Sequence, residues 1–242
     1  MSALGFTGRV PQSVQTAVPK TTIAMSSADQ LSDTRPRVRE TFLLSNFLLA
    51  FAVGCIDFVT VNKYGLFASS ITNNAAILLS SLTDETNLER ILFMGLSVLT
   101  FCLGVVFGDV ILHRFRRRST LLVATGLTAL TASLMIAWFH RIFAVLPIVL
   151  AMPLINIYYE RHLDEKGVVT VTSNALYIIV RGIVRQTWAT DIQLALVNLV
   201  GFVAGCAASM IWIIAGKAED VDDPVRFVLV LPTLAMLLVT LL

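Results

Sequence analysis

The chain has 242 residues, of which 56% are hydrophobic and 14% are charged, and its formal net charge is +2. Ordinary soluble domains carry roughly 25% charged residues, so this composition excludes that class and indicates an integral membrane protein. We therefore expect the lipid bilayer as the main partner and no nucleic-acid partner.

The first 39 residues differ from the rest of the chain. They are rich in Ser, Thr, Pro and Gln, and no acidic residue precedes Asp29. A disordered cytoplasmic tail and an organelle transit peptide both fit such a composition. The tail is favoured, because Arg9 and Lys20 supply little of the positive charge that transit peptides carry.

Six apolar stretches follow the tail. About 20 residues of helix cross a hydrocarbon core of about 30 Å, so a run of this length predicts a transmembrane helix. The predicted spans are 42–61, 91–112, 119–139, 142–159, 192–215 and 225–242. The fourth span is short for this role, and only His140 and Arg141 separate it from the third.

The distribution of basic residues predicts the orientation of these spans. Arg35, Arg37 and Arg39 precede the first span, and the stretch HRFRRR (residues 113–118) follows the second. Because short cytoplasmic loops retain Lys and Arg, both termini are expected in the cytoplasm. The plasma (inner) membrane is the expected location.

A polar cluster occurs twice between the apolar stretches. The first polar cluster is Thr72, Asn73 and Asn74 in SSITNNAAILL, and the second polar cluster is Thr172, Ser173 and Asn174 in TVTSNALYII. Upstream, Asp57 ends the stretch GCID and Asn156 ends the stretch PLIN, at nearly equal distances from the two clusters. Downstream, the series Phe101, Gly104, Gly108 matches Phe202, Gly205, Ser209.

These matches divide the membrane part into two repeats, residues 40–140 and 141–242. Each repeat contains a span, a polar cluster and two further spans. Three crossings per repeat place the start of the second repeat on the opposite side of the membrane, so the repeats are expected to be inverted. The sequence therefore predicts an all-α polytopic membrane protein with about six transmembrane helices in two inverted three-span repeats.

The stretch GCIDFVTVNKYGLFASSITNNAAIL resembles the YoaK family of uncharacterised multi-span membrane proteins. The family has an aspartate in the first span before a TGN element, and an asparagine-containing span before a second TGT or TGN element. The resemblance covers roughly residues 42–215, with Asn73 and Ser173 in place of the family's glycines. It implies fold and topology, and it implies no biochemical activity.

The polar residues of the two repeats are the candidate site. Asp57 lies within the first predicted span, where an ionisable side chain usually faces a cavity or the bundle interior. A helix-capping aspartate is the alternative. Each polar cluster either starts a re-entrant helix that lines a site between the repeats, or caps an interfacial helix. The residues of the candidate solute or ion site are Asp57, Thr72, Asn73, Asn74, Asn156, Thr172, Ser173 and Asn174.

Small residues mark the expected helix contacts. Gly104 and Gly108 have the G-x-x-x-G spacing in the second span, and Gly201 and Gly205 have it in the fifth. This spacing permits close helix packing in membranes.

The favoured function is transport of a small solute or ion through a site between the repeats. A non-catalytic structural or regulatory subunit, or a lipid-binding scaffold, is the alternative. The sequence has no phosphate-binding glycine loop, metal-binding histidine pair or nucleophile elbow, so we expect no enzyme, cofactor or metal. The sequence leaves open the substrate and the oligomeric state.

Overall fold

A computed structural model describes residues 36–81, 88–115, 117–137, 141–163, 172–185, 190–219 and 223–242. These residues form helices joined by short turns, and none of them forms a strand. The predicted tail falls outside this part of the chain up to residue 35, and the first helix begins at Pro36.

The helices are numbered here in chain order. They are α1 (Pro36–Tyr64), α2 (Ile71–Ser81), α3 (Leu88–Arg114), α4 (Arg117–Ile136), α5 (Arg141–Leu163), α6 (Thr172–Arg185), α7 (Thr190–Ala218), α8 (Val225–Val228) and α9 (Val230–Leu241).

Four of these helices are long and apolar enough to cross a membrane. They contain the segments Glu40–Tyr64, Ile91–Ile111, Arg118–Ile136 and Ile192–Ala218. The other two predicted spans correspond to shorter apolar helical segments, Phe143–Tyr159 in α5 and Val230–Leu241 in α9. The chain is thus a helical protein of membrane type, and the total of six spans stays a prediction.

Proline and glycine explain two of the helix ends. The last predicted span is divided at Leu229, because Pro232 has no N–H group to donate to the carbonyl of Val228. Gly65 ends α1 with a positive φ of 69° while its N–H donates to the carbonyl of Val61 at 3.0 Å. Glycine is the residue that adopts this left-handed conformation at a helix end without a steric penalty.

The helices pack as two bundles that do not follow the chain order. In the first bundle, α5 packs against α3 and α4, and α2 packs against α3. In the second bundle, α1 packs most extensively against α7 and also against α9, and α6 packs against α7. The first bundle therefore contains α2–α5, and the second contains α1 with α6–α9. The bundles meet mainly where α4 contacts α9 and where α1 contacts α5.

The burial of the long helices reflects this arrangement. In the most apolar part of α1, 61% of residues are buried, whereas the share is 28% in both α3 and α7. Leucines and valines of α3 are exposed at Leu92, Leu99 and Val106, and Val203 is exposed on α7. Because these outward faces are apolar, they are suited to contact lipid.

Glycines set the closest helix contacts in both bundles. A Cβ atom at Gly205 of α7 would lie 2.1 Å from the carbonyl oxygen of Phe51 in α1. A Cβ atom at Gly104 of α3 would lie 2.9 Å from the carbonyl oxygen of Leu150 and 2.9 Å from the ring of Pro153, both in α5. Only a residue without a side chain permits these approaches.

The other glycine in each G-x-x-x-G spacing faces the same neighbouring helix. Gly108 faces side chains of Leu154 and Ile157 in α5, and Gly201 faces the carbonyl oxygen of Phe47 in α1. All four glycines of the predicted spacing thus lie at contacts between helices.

Two features show which helix ends share a side of the molecule. Thr41 at the start of α1, Arg118 at the start of α4, Tyr158 near the end of α5 and Leu242 after α9 line one cavity. Lys63, near the other end of α1, forms an ion pair with Asp223 just before α8. Therefore α1 and α5 run in opposite directions, and so do α4 and α9.

Candidate functional site: the connector and the cavity between the bundles

The connector between α1 and α2 (residues 65–70) carries the chain from the second bundle to the first. Asp57 of α1, which is 5% exposed, holds this connector. The backbone N–H of Ser69 donates to Oδ1 of Asp57 at 3.0 Å, and the hydroxyl of Ser69 donates to Oδ2. Both carboxylate oxygens of Asp57 thus accept hydrogen bonds from one residue of the connector.

Asn74 of α2 holds the same connector from the other bundle. Its Oδ1 accepts a hydrogen bond from the backbone N–H of Phe67 at 2.9 Å, and its side-chain amide donates to the carbonyl of Phe67. Asn74 is buried. The connector is therefore fixed to α1 by Asp57 and to α2 by Asn74.

The remaining residues of the first polar cluster lie apart from this pair. Thr72 and Asn73 are exposed on the first turn of α2. The helix start is formed by Ser70, whose carbonyl accepts from the N–H of Asn74 at 3.2 Å and whose hydroxyl lies 3.5 Å from the N–H of Asn73. Of this cluster, only Asn74 is brought together with Asp57.

The second polar cluster begins a helix at the corresponding place, since α6 starts at Thr172. The side chains of Thr172, Ser173 and Asn174 lie outside the described part of the structure. Asn156 lies on α5, and its Oδ1 is buried without a hydrogen-bond partner. Asn156 thus offers an unused acceptor inside the molecule.

A cavity of about 260 Å³ lies between the two bundles. The second bundle contributes α1 and α9 to its wall, and the first bundle contributes α4 and α5. The lining residues are Thr41, Phe42, Ser45, Arg118, Tyr158, Val239 and Leu242. This cavity combines hydroxyl groups, one guanidinium group and apolar side chains.

Two fully buried polar side chains follow the lining residues closely in sequence. Asn46 comes directly after Ser45 on α1, and neither its amide nitrogen nor its Oδ1 has a hydrogen-bond partner. Thr120 comes two residues after Arg118 on α4, and its hydroxyl also has no partner. A buried polar group without a partner costs about 1–3 kcal/mol, and such a group calls for a reason such as a bound water or ligand.

A further polar contact joins α5 to α7. The side-chain amide of Asn198 donates to the phenol oxygen of Tyr159 at 2.7 Å, and Oδ1 of Asn198 is buried without a partner. Tyr159 is fully buried. This pair reaches from the first bundle to the second.

The chemistry of these groups is that of polar binding. Amides and hydroxyls donate and accept hydrogen bonds to a solute, and Arg118 supplies a positive charge. Within the described ranges, no group of three or more His, Cys, Asp or Glu side chains is arranged to hold a metal ion.

Sequence reasoning missed Ser69, Asn46 and Thr120 as site residues, and it assigned Arg118 to the basic stretch HRFRRR that predicts the orientation. Asn46 and Thr120 lie near the predicted start of a span, where Asn and Thr are ordinary, so no periodicity distinguishes them. Ser69 precedes the first polar cluster in SSITNN, and its hydroxyl was a recognisable signal for a partner.

One comparison with known proteins gives a match. The model of the family described as "Protein of unknown function (DUF1275)" matches residues 46–176. No curated protein and no solved structure matches the chain. The family match extends from α1 to the first residues of α6, and it includes Asp57, α2 and Asn156. The chain therefore belongs to the DUF1275 family of proteins of unknown function.

Proposed function

We propose that this protein transports a small polar solute or ion across the membrane, through the interface between its two bundles. The proposal is for a carrier without catalytic activity, cofactor or metal. Its central element is a pair of inverted repeats, residues 40–140 and 141–242.

Helix directions support the inverted relation. The repeats pair α1 with α5 and α4 with α9, and the members of each pair run in opposite directions, as their ends at the shared cavity require. The helix contacts of the two repeats also correspond. The contact of α1 with α7 corresponds to that of α5 with α3, and the contact of α2 with α3 corresponds to that of α6 with α7. Paired inverted repeats with a site between them are a recurring plan of secondary transporters.

The glycine contacts also support the inverted repeats, because they occur at matching sequence positions in the two repeats. Gly205 approaches the carbonyl of Phe51, which lies six residues before Asp57, and Gly104 approaches the carbonyl of Leu150, which lies six residues before Asn156. The sequence comparison had already paired Gly104 with Gly205. The same backbone contact therefore occurs at equivalent positions of both bundles.

The observation that carries the proposal is the unpartnered amide of Asn46. Asn46 is fully buried on α1, directly after Ser45 of the cavity lining in the sequence, and it uses none of its hydrogen-bonding capacity. A residue that only served packing would be apolar at this place, because the unpaired amide destabilises the fold. Binding of a passing solute or of water gives the amide a function.

The clamped connector fits a carrier whose bundles move relative to each other. Residues 65–70 are one link between the bundles, and Asp57 of α1 and Asn74 of α2 hold them. Such a link keeps its geometry while the bundles change their relative position. In this account Asp57 and Asn74 position the link and do not bind the solute.

The membrane setting is part of the proposal. Both ends of the described chain lie on the cavity side, and the arginines between α3 and α4 favour the cytoplasm for that side. We place the protein in the plasma (inner) membrane with this orientation. The YoaK resemblance and the DUF1275 match cover overlapping residues, and we infer that they describe one family relationship.

A structural or regulatory subunit, or a lipid-binding scaffold, is the second candidate. The bonding of Asp57 favours it, because both oxygens of the single acidic side chain in α1's interior are used within the fold. The two functions differ in whether the purified protein alone moves a solute.

The test is solute flux into proteoliposomes containing the Asn46→Leu variant. Probes are urea and glycerol, followed by light scattering, and protons, followed with trapped pyranine. We expect the parent to exceed protein-free liposomes for at least one probe and the variant to lose that flux. We also expect the variant to be more stable than the parent by about 1 kcal/mol or more, because an unpaired buried amide is removed.

Asn62→Leu is the matched control, since Asn62 is exposed on the same helix. It makes the same chemical change, and we expect it to preserve flux. Parent protein that equals protein-free liposomes for every probe, or a stable Asn46→Leu protein with full flux, contradicts the proposal and favours the scaffold.

A further inference from the structure

The cavity between the bundles contains a positive charge without a described counter-ion. Arg118 is exposed at the start of α4 and lines the cavity. Among the described residues, the ion pairs are Lys63 with Asp223 and His113 with Asp109, and Arg118 belongs to neither. Arg118 is therefore available for an anion from outside the chain.

Hydrogen-bond donors surround the same space. Thr41 and Ser45 contribute hydroxyl groups from α1, and Tyr158 contributes a phenol from α5. Arg118 also lies in the first turn of α4, where backbone N–H groups lack helical partners and the helix dipole is positive. An arginine with neighbouring hydroxyls and a helix start is a suitable environment for phosphate oxygens.

The remaining side chains of the lining are apolar. Phe42, Val239 and Leu242 complete the wall at the ends of α1 and α9. Helix ends of a membrane protein lie near the boundary between hydrocarbon and water. A ligand with a phosphate group and an adjoining apolar chain therefore matches both parts of the lining.

We propose that this cavity binds the phosphate group of an anionic amphiphile, with Arg118 as the charged partner and Ser45 and Tyr158 as hydrogen-bond partners. The shared chemistry is a phosphate oxygen held by the guanidinium group. A membrane phospholipid and free inorganic phosphate are its two sources. This inference does not require that the protein is a carrier.

The test compares purified full-length parent with Arg118→Gln. In the lipid arm, both proteins are reconstituted in nanodiscs of phosphatidylcholine alone, or of phosphatidylcholine and phosphatidylglycerol in equal parts. Native mass spectrometry then counts the retained phosphatidylglycerol, and thermal unfolding gives the stabilisation. In the ion arm, thermal unfolding of the detergent-solubilised proteins is measured in sodium phosphate and in sodium chloride at equal ionic strength.

We expect Arg118→Gln to weaken phosphatidylglycerol binding about tenfold or more, because a charge-assisted hydrogen bond is lost. Arg114→Gln is the matched control: it removes an exposed arginine at the end of α3, outside this cavity, and we expect near-parental binding. Ser45→Ala serves as a milder second variant and should show an intermediate loss. Stabilisation by phosphate alone that depends on Arg118 supports a free-anion site instead of a lipid site.

Equal phosphatidylglycerol binding by Arg118→Gln and Arg114→Gln, together with no response to phosphate in the parent, overturns the inference. The flux experiment on Asn46→Leu is unaffected by this result, so the two proposals fail independently.

Discussion

At the scale of single residues, Asp57 has a defined partner. Sequence reasoning left two roles open, a cavity-facing acid and a helix-capping aspartate. The structure places both carboxylate oxygens against Ser69, with the backbone N–H of Ser69 at 3.0 Å. This bonding accounts for a buried carboxylate in an apolar helix that has no ion pair among the described residues, because hydrogen bonds replace the lost hydration.

Substitution of Asp57 distinguishes two roles: a residue that holds the connector through Ser69, called a clamp here, and a residue that carries protons. We expect Asp57→Leu to destabilise the protein by about 2 kcal/mol or more, because the N–H and hydroxyl of Ser69 lose their acceptor inside the fold. Asp57→Asn retains one acceptor oxygen and should cost less. Thermal unfolding in detergent measures both changes.

The flux of the folded Asp57→Asn protein completes this test. A clamp predicts parental flux at each pH, since asparagine still holds Ser69. Loss of pH dependence in Asp57→Asn would assign Asp57 to proton transport and would contradict the clamp.

Residue types predicted part of the candidate site. Asp57 and Asn74 were singled out because polar side chains in apolar stretches need partners, and the structure brings them to one connector. Thr72 and Asn73 are polar residues of the same cluster, yet they are exposed. Successive residues of a helix point in different directions, so only one side chain of the cluster faces inward. Asn46 carried no signal, because its burial depends on helices remote in the sequence.

At the scale of helices, two glycine-containing helices determine the packing. The close approach of α7 to α1 depends on Gly205, and that of α3 to α5 depends on Gly104. The sequence indicated this packing because the G-x-x-x-G spacing places both glycines on one helix face. It did not indicate which helix each face contacts.

Gly205→Ala tests the importance of the contact between α1 and α7. We expect a loss of about 1–3 kcal/mol, because the added methyl group meets backbone atoms that cannot move without shifting a helix. Chemical unfolding in detergent measures the loss.

Gly126→Ala in α4 is the matched control, since a Cβ atom there has no neighbour within 4 Å. Removing a helix-interior glycine should leave stability unchanged or raise it by about 0.5–1 kcal/mol. Equal stabilities of the Gly205→Ala protein and the parent would mean that the helices are not in close contact.

At the scale of the whole molecule, the two bundles exchange their first helices. The predicted first repeat contributes α1 to the second bundle, and the predicted second repeat contributes α5 to the first bundle. The pattern of apolar stretches predicted helices and the clusters predicted a repeat, but neither reveals an exchange. Contacts such as Phe51 with Gly205 join residues far apart in the chain, and hydropathy contains no information on such pairs.

The exchange places the cavity at the boundary of the bundles, and Ser45 of its lining directly precedes Asn46 in the sequence. A carrier of this design requires the bundles to move against each other, as inverted-repeat transporters do. A bridge across the boundary should therefore stop transport, whereas a bridge within one bundle should not.

The direct measurement is flux through proteoliposomes of Thr41→Cys/Arg118→Cys protein, with the native cysteines replaced by alanine. Thr41 belongs to the second bundle and Arg118 to the first, and both line the cavity. A short bis-methanethiosulfonate reagent bridges the pair, and dithiothreitol releases it. Lys63→Cys/Asp223→Cys, a bridge within the second bundle, is the control.

We predict that the first bridge reduces flux to the level of protein-free liposomes, that dithiothreitol restores it, and that the control bridge has no effect. Full flux through the bridged Thr41→Cys/Arg118→Cys protein would contradict transport between the bundles.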